Sequence, residues 1–182
     1  MTSRARRRPQ AGFNLIEVLI AMALLSTVLL SVVTLFFMGR SNVYSGKQLT
    51  RATSVAVHAS EDMNALSGTD LMESFNIVKG AALASNSVSG VSYPNSIVRS
   101  TKVDAGGSND PRGYLDRWKS FLGADRMLKG NLTLVIMPTD YADATDVTTA
   151  RLIRVRIVTE WSERNRSRNV FMDMAKFNRS LQ

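Results

Sequence analysis

Residues 13–38 form an apolar run that contains a single charged side chain, Glu17. As an α-helix, a run of this length extends on the order of 39 Å, which exceeds the roughly 30 Å hydrocarbon core of a bilayer. The run therefore predicts a membrane-spanning helix. The residues that follow have the mixed composition of a soluble region, so we expect one anchored domain.

Positive charge is concentrated before this run. Four arginines lie among the first eight residues, whereas only Arg40 and Lys47 follow the run closely. Cytoplasmic flanks of membrane helices carry an excess of Lys and Arg. The charge bias therefore predicts a cytoplasmic N-terminus and a C-terminal region on the opposite side of the membrane.

Three interpretations of the apolar run compete. A removable secretory signal would use the A-x-A pattern at Ala21–Ala23, but fifteen more apolar or small residues follow that pattern. A plain single-pass anchor accounts for the length and leaves Glu17 unexplained. An intramembrane carboxylate is costly unless it is neutralised or paired. Glu17 therefore favours the third interpretation, a helix that pairs with a partner charge.

The residues around Glu17 resemble the prepilin signal of type IV pilin-like proteins. A short basic leader is followed by Gly12, Phe13 and the sequence N-L-I-E-V-L-I-A over 14–21. The resemblance implies cleavage after Gly12 by a prepilin peptidase and N-methylation of Phe13. It also implies that Glu17 pairs with the N-terminal amine of a neighbouring subunit during assembly.

The same resemblance implies a location and a set of partners. The precursor would be a single-pass protein of the inner membrane with a periplasmic C-terminal domain. It would then enter a pilus or pseudopilus at the cell surface, alongside major and minor pilins. The expected divisions are a cleaved leader (1–12), a membrane and assembly helix (13–38), an amphipathic continuation (39–67) and a globular head (68–182).

Two features favour a minor subunit over a major one. Many major pilins carry a proline and a nearby glycine in the second half of this helix, and residues 26–38 contain neither. A tryptophan-bearing helix (115–118) and the strand V-R-I-V-T-E-W (155–161) are similar to minor pilins of the PilV type. Minor pseudopilins of type II secretion share that layout, so both a minor pilin and a minor pseudopilin remain open.

Helical periodicity continues beyond the membrane run. Apolar residues recur every three or four positions, which predicts an amphipathic helix packed on a sheet. They are Ala52, Val55, Ala59, Met63 and Leu66. Arg51, Ser54, Glu61 and Asp62 are expected on the opposite, polar face. The pair Ser67-Gly68 is the expected end of the helix.

The globular head has a mixed helix and strand pattern. A second helix is expected to place Leu71, Phe75, Val78 and Ala82 on one face, with Thr69 or Asp70 as its N-cap. Further predicted elements are a strand at 96–103, a loop at 105–111, a helix at 114–122, strands at 132–137, 153–161 and 169–177, and a hairpin turn at 162–168. The predicted class is α+β: a long N-terminal helix packed on a small antiparallel sheet.

The remaining chemistry is sparse. The chain has no cysteine, which excludes disulfides, cysteine-based metal sites and thiol catalysis, and its single histidine, His58, falls on a helix. Asp140, Asp143 and Asp146 are candidate calcium ligands in one loop, although solvated turn residues are the more common outcome for such a cluster. We expect no cofactor, no metal and no enzymatic activity.

The C-terminal region carries a basic excess. From residue 151 onward there are eight Arg or Lys side chains and three carboxylates. Such an excess is able to bind nucleic acid through its phosphates, which makes a DNA-binding pilus component a further alternative. Arginines on the outer face of a strand or in a polar turn are also ordinary solvated residues. Those concerned are Arg154, Arg156, Arg164, Arg166 and Arg168.

Overall fold

The computed structural model describes residues 14–123, 130–139, 146–163 and 166–177. The chain divides into two units, residues 1–44 and 45–182. The described part of the first unit is helical from residue 15. That helix, α1 (Leu15–Ala65), continues into the second unit and ends there.

The second unit adds two short helices and a five-stranded sheet. The elements after α1 are α2 (Gly68–Ser74), β1 (Ala84–Val88), β2 (Val91–Ser100), α3 (Tyr114–Leu122), β3 (Asn131–Pro138), β4 (Leu152–Glu163) and β5 (Arg166–Phe177). The strands lie in the order β1-β2-β3-β4-β5, and every neighbouring pair is antiparallel. The predicted α+β class, a long helix on an antiparallel sheet, is confirmed.

The C-terminal part of α1 packs on the sheet through the predicted apolar stripe. Each of the five stripe residues is buried. They share one core with alternate residues of β3 and β4, among them Leu134 and Ile157. The 3.6-residue period of a helix and the two-residue period of a strand therefore meet in a single interior.

The end of α1 and the second helix differ from prediction. Ser67 is the N-cap of α2 rather than part of a stop signal: its hydroxyl accepts the Asp70 N–H at 3.1 Å, and the Asp70 carboxylate accepts the Ser67 N–H at 3.4 Å. This reciprocal pair is a capping box. Because Asn76 adopts a left-handed φ of 48°, α2 closes at Ser74, and the Ile77 N–H bonds to the Met72 carbonyl at 2.8 Å. Val78 and Ala82, which were predicted to lie on this helix, therefore lie beyond its end.

Helix α3 begins and ends at the residues predicted for it. Asp110 holds its first turn: the carboxylate accepts the backbone N–H groups of Tyr114, Leu115 and Asp116 at 2.8, 2.7 and 3.2 Å. These N–H groups have no partner inside the helix, so a buried carboxylate satisfies them. Burial outweighs those hydrogen bonds and raises the pKa of Asp110.

Asp62 joins α3 to α1. The Trp118 indole N–H donates to its carboxylate at 2.8 Å, and Arg117 forms an ion pair with the same group. The Trp118 side chain is fully buried, and its ring lies 6.1 Å from the rings of both Phe75 and Tyr114. Asp62 was predicted on the solvent face of α1. That prediction is wrong because α3 covers this part of the helix.

The opposite face of the sheet is covered by a hairpin that local sequence patterns did not predict. Strands β1 and β2 are joined by Ser89 and Gly90, which both have positive φ angles, as a type I′ turn requires. The Ser89 hydroxyl donates to Glu160 of β4. A second apolar cluster lies on this face, formed by Val88, Tyr93, Val135 and Val158.

Several strand boundaries differ from the predicted ones. Strand β2 ends at Ser100 instead of continuing to residue 103, and β1 had no predicted counterpart. Strands β4 and β5 both extend into the expected 162–168 turn. Their antiparallel pairing continues to Glu163 and Arg166, the last described residue on each side of the turn.

Lys176 of β5 binds backbone carbonyls at the C-terminal end of α1. Its ammonium donates to the Asn64 carbonyl at 3.1 Å and to the Leu66 carbonyl at 2.6 Å. The last carbonyls of a helix have no partner within the helix, and a cation there also interacts favourably with the helix dipole. Burial lowers the pKa of Lys176.

Candidate functional site

The first turn of α1 positions Glu17. The backbone N–H groups of Glu17 and Val18 donate to the Asn14 carbonyl at 2.8 and 3.3 Å, which starts the helix immediately after Asn14. Asn14 therefore occupies the N-cap position of the helix, where asparagine is among the favoured residues. Within the part of the chain that the structure describes, the Glu17 carboxylate has no hydrogen-bond or ion-pair partner.

The surface around Glu17 is apolar. Val18, Ala21, Met22 and Leu25 line a shallow groove beside it. A carboxylate in such surroundings is stable in a membrane only when it is neutralised or paired with a cation. The geometry therefore leaves Glu17 available to a charge supplied by another chain.

The helix that carries Glu17 has the length and composition to cross a membrane. Its most apolar window has a mean hydropathy of 2.6, and no residue of that window is buried within the protein. The hydroxyl groups in this segment are satisfied locally, because each donates to a backbone carbonyl three or four residues earlier. These donors are Ser26, Thr27, Ser31 and Thr34.

A comparison with known families finds a match to the segment that contains Glu17. Residues 7–33 match the family described as the prokaryotic N-terminal methylation motif. The chain carries the N-terminal signal of a type IV pilin-like protein. The match supports membrane anchoring, processing by a prepilin peptidase and assembly with other pilins. Comparisons of the chain with curated proteins and with solved structures found no match.

The pilin-like signal contains two residues that lie outside the described part of the chain. Gly12 and Phe13, the predicted cleavage and methylation positions, precede the first described residue, Asn14. Their roles, and that of Glu17 in assembly, stay predictions. The segment from Ser26 to Met38 is helical throughout, as expected from its lack of proline and glycine.

The candidate calcium loop is described at one position only. Asp140 and Asp143 lie outside the described residues. The Asp146 carboxylate accepts the backbone N–H groups of Gly80 at 2.7 Å and Thr148 at 2.8 Å. Although partial burial raises the pKa of Asp146, these hydrogen bonds hold it below its usual value. Asp146 therefore fastens the chain around Gly80 to the segment before β4.

His58 lies where a packing or surface role was expected. Its side chain is about half exposed, its ring lies 5.6 Å from the ring of Phe121, and Nδ1 lies 3.4 Å from the Glu61 carboxylate. Within the described residues, no group of three His, Cys, Asp or Glu side chains is placed to hold a metal ion.

Two arginines of the basic hairpin share one carboxylate. The Asp173 carboxylate of β5 accepts two hydrogen bonds from Arg156 of β4, at 2.5 and 2.6 Å, and one from Arg154 at 2.7 Å. The Arg156 guanidinium also lies 4.9 Å from the ring centre of Phe171 and 5.6 Å from that of Tyr93. Arg156 is thus a half-buried stacked residue and not the solvated one predicted. Arg164 lies outside the described residues.

The Asp173 cluster predicts an acid-sensitive contribution to stability. Hydrogen bonds from Arg156, opposed by partial burial and reinforced by Arg154, lower the pKa of Asp173 from 3.8 to about 2. Because the folded-state pKa is depressed, the contribution is complete above pH 3.8 and is lost as the pH falls toward 2. Solvent screening limits it to about 1 kcal/mol.

The measurement is urea unfolding of the full chain in detergent between pH 5 and about 2.5, compared with Asp173→Asn. The variant should lose less stability on acidification than the native protein. Glu61→Gln, which removes an exposed carboxylate from α1, should keep the full acid dependence. Equal pH dependence of the native protein and Asp173→Asn would contradict the assignment.

Proposed function

We propose that this protein is a minor pilin that enters a type IV pilus, or primes its assembly, through α1. The match of residues 7–33 to the methylation motif carries the proposal. The apolar surface of α1 and the unpartnered Glu17 support it, because both suit packing of the helix among the helices of other subunits.

Each residue of the signal has a proposed role. Gly12 precedes the bond that the prepilin peptidase cuts, and Phe13 becomes the methylated N-terminus. The new terminal amine of a neighbouring subunit is the cation that pairs with Glu17. In a low-dielectric bundle such a pair is strongly attractive, whereas either charge alone is penalised. The pair would fix the axial register between adjacent helices.

The processing step has a direct test. Protein expressed with a prepilin peptidase should lack residues 1–12 and carry one added methyl group, as measured by intact mass. Gly12→Val should retain the leader, because a branched side chain then occupies the position before the cut. Gly39→Ala is the matched control: no atom lies within 4 Å of its added Cβ, so processing should be normal. A mature N-terminus at any residue other than Phe13 would contradict the proposal.

The alternative role in a type II secretion pseudopilus uses the same anchor. Recovery of the protein in filaments sheared from the cell surface supports the pilus. Retention in the periplasmic fraction together with secretion components supports the pseudopilus. The absence of proline and glycine from residues 26–38 suits both minor classes.

A DNA-binding role is less well supported. Arg154 and Arg156 are paired with Asp173, so these two arginines are not free to bind phosphates. A gel-shift assay with the full chain in detergent at low and high salt decides this point. Absence of a shift at low salt rejects direct DNA binding.

A further inference from the structure

One end of the sheet lies beside the point where α1 enters the second unit. The Ser45 hydroxyl donates to the carboxylate of Glu163, the last residue of β4. The Glu163 side chain is 11 % exposed, and Arg168 of β5 lies 3.9 Å from it. The end of the β4–β5 hairpin is therefore fastened to the first helical turn of the second unit.

Chain connectivity keeps this end close to the membrane. Ser45 follows Met38, the last residue of the apolar run, by seven residues. All of them are helical, which corresponds to a rise of about 10 Å along the helix axis. The headgroup layer on one side of a bilayer is itself roughly 5–8 Å thick. Because Ser45 follows the apolar run so closely in the chain, the strand end bound to Ser45 is within reach of the surface of a bilayer that the run spans.

The surface of this sheet end is basic. Its exposed cations are Lys47, Lys102, Arg166 and Arg168. Lys102 belongs to the group because it lines the same open cavity of about 610 Å³ as Ser162 and Ser167. Within the described residues, no ion pair involves Lys47, Lys102 or Arg166.

The carboxylates near these cations also accept hydrogen bonds from uncharged groups. Glu163 accepts the Ser45 hydroxyl, and Glu160 accepts the Ser89 hydroxyl. Asp104 accepts the Ser100 N–H and the Asn109 amide, both at 2.8 Å. All three carboxylates are partly buried, whereas the cations are exposed. An approaching surface therefore meets positive charge first.

We propose that this end of the second unit docks on anionic phospholipid headgroups while the protein resides in the membrane. Ammonium and guanidinium groups, together with the hydroxyls of Ser162 and Ser167, are the donors that phosphate oxygens accept. Basic residues close to a bilayer are attracted to anionic lipid, and salt screens that attraction. The contact holds the head against the membrane until α1 is extracted into a filament, so the inference rests on the membrane-anchored precursor proposed above.

The experiment uses the full chain in lipid nanodiscs. Because the sequence has no cysteine, Ser167→Cys provides a single site for a fluorophore. Lipids with a nitroxide headgroup quench the label when it lies at the membrane surface. Quenching should be at least about two-fold stronger with about 30 % phosphatidylglycerol than with phosphatidylcholine alone, and the difference should vanish in about 0.5 M NaCl.

A second labelling site tests the direction of the contact. Val78→Cys is suitable because the native Val78 side chain is 61 % exposed. Val78 precedes Gly80, which is bonded to Asp146 near the start of β4, at the opposite end of the sheet. Its quenching should be independent of lipid charge. Equal dependence on phosphatidylglycerol at both sites would overturn docking through the β4–β5 end.

Charge removal completes the test. In the Ser167→Cys background, Lys102→Gln and Arg166→Gln should each lower the equilibrium constant for the lipid-dependent contact about five-fold. The matched controls, Lys79→Gln and Lys119→Gln, remove exposed cations elsewhere and should have no effect. Quenching that ignores lipid charge, or that persists in both basic variants, would overturn the inference.

Two further outcomes separate this inference from the proposed function. Failure of the native chain to insert into nanodiscs would overturn the anchored precursor and the docking surface together. Normal insertion without dependence on lipid charge would overturn docking alone. Binding of duplex DNA by Lys102 and Arg166, with no response to phosphatidylglycerol, would assign the cations to nucleic acid instead.

Discussion

Glu17→Gln is expected to leave membrane insertion intact and to lower incorporation into filaments at least about 100-fold. Glutamine removes the charge and keeps the shape of the side chain. A buried ammonium that loses its only carboxylate costs roughly 3–5 kcal/mol, far more than is lost from an exposed pair. Insertion should not suffer, because an uncharged side chain enters the bilayer more readily.

The measurement compares the membrane fraction with sheared filaments in cells that express the native protein or the variant. Glu61→Gln is the matched control, since Glu61 is a carboxylate on the same helix that is exposed in the second unit. It should be incorporated normally. Normal incorporation of Glu17→Gln would remove the pairing role from Glu17, whereas loss of the protein from membranes would indicate a defect in insertion.

Trp118→Ala should lower the free energy of unfolding of the second unit by about 3–5 kcal/mol. The substitution empties the centre of the aromatic group formed with Phe75 and Tyr114. It also leaves the Asp62 carboxylate without the indole donor, while Arg117 remains. A domain of this size has a total stability of roughly 5–15 kcal/mol, so one substitution removes a large share of it.

The unfolding of this variant is measurable by urea titration of the full chain in detergent. The fluorescence of Trp161, which is 5 % exposed, reports the loss of the core in every variant. Phe121→Ala is the control on the same helix: the Phe121 side chain is 41 % exposed, so its removal should cost less than about 1 kcal/mol. Equal losses for both variants would contradict the central position of Trp118.

The periodicity of apolar residues along the sequence predicted the amphipathic part of α1, helix α3 and the strands β4 and β5. The stripe from Ala52 to Leu66 is buried as expected, and α3 has the predicted bounds. The paired strands β4 and β5 follow from alternating residues on either side of a polar turn. The stripe and α3 each bury a single face, so the period of their apolar residues identifies the element.

The β1–β2 hairpin shows where local patterns were insufficient. Strand β1 reads A-S-N-S-V and has the composition of a loop. It is a strand because β2 offers it a pairing edge and because Val88 and Tyr93 cover Val135 and Val158. The dipeptide Ser89-Gly90 was the available signal for this turn.

Polar residues were misplaced for a related reason. Asp62 and Arg156 sit at positions where helix and strand periodicity predict solvent exposure. Each is instead partly covered by an element distant in sequence, α3 in one case and the rings of Tyr93 and Phe171 in the other. Whether a charged position is solvated depends on which segment packs over it, and periodicity carries no information about that.

The apolar run and its motif, Gly12 to Glu17, are properties of a short stretch of sequence. They are readable without tertiary structure because membrane crossing depends on length and hydropathy, and processing depends on contiguous residues. The matched segment, 7–33, is the same stretch. Tertiary structure alone decided which carboxylates neutralise which arginines, and it alone brought Lys102, Arg166 and Ser45 to one end of the sheet. Such contacts join residues far apart in the chain, and their energies arise only once the sheet has paired.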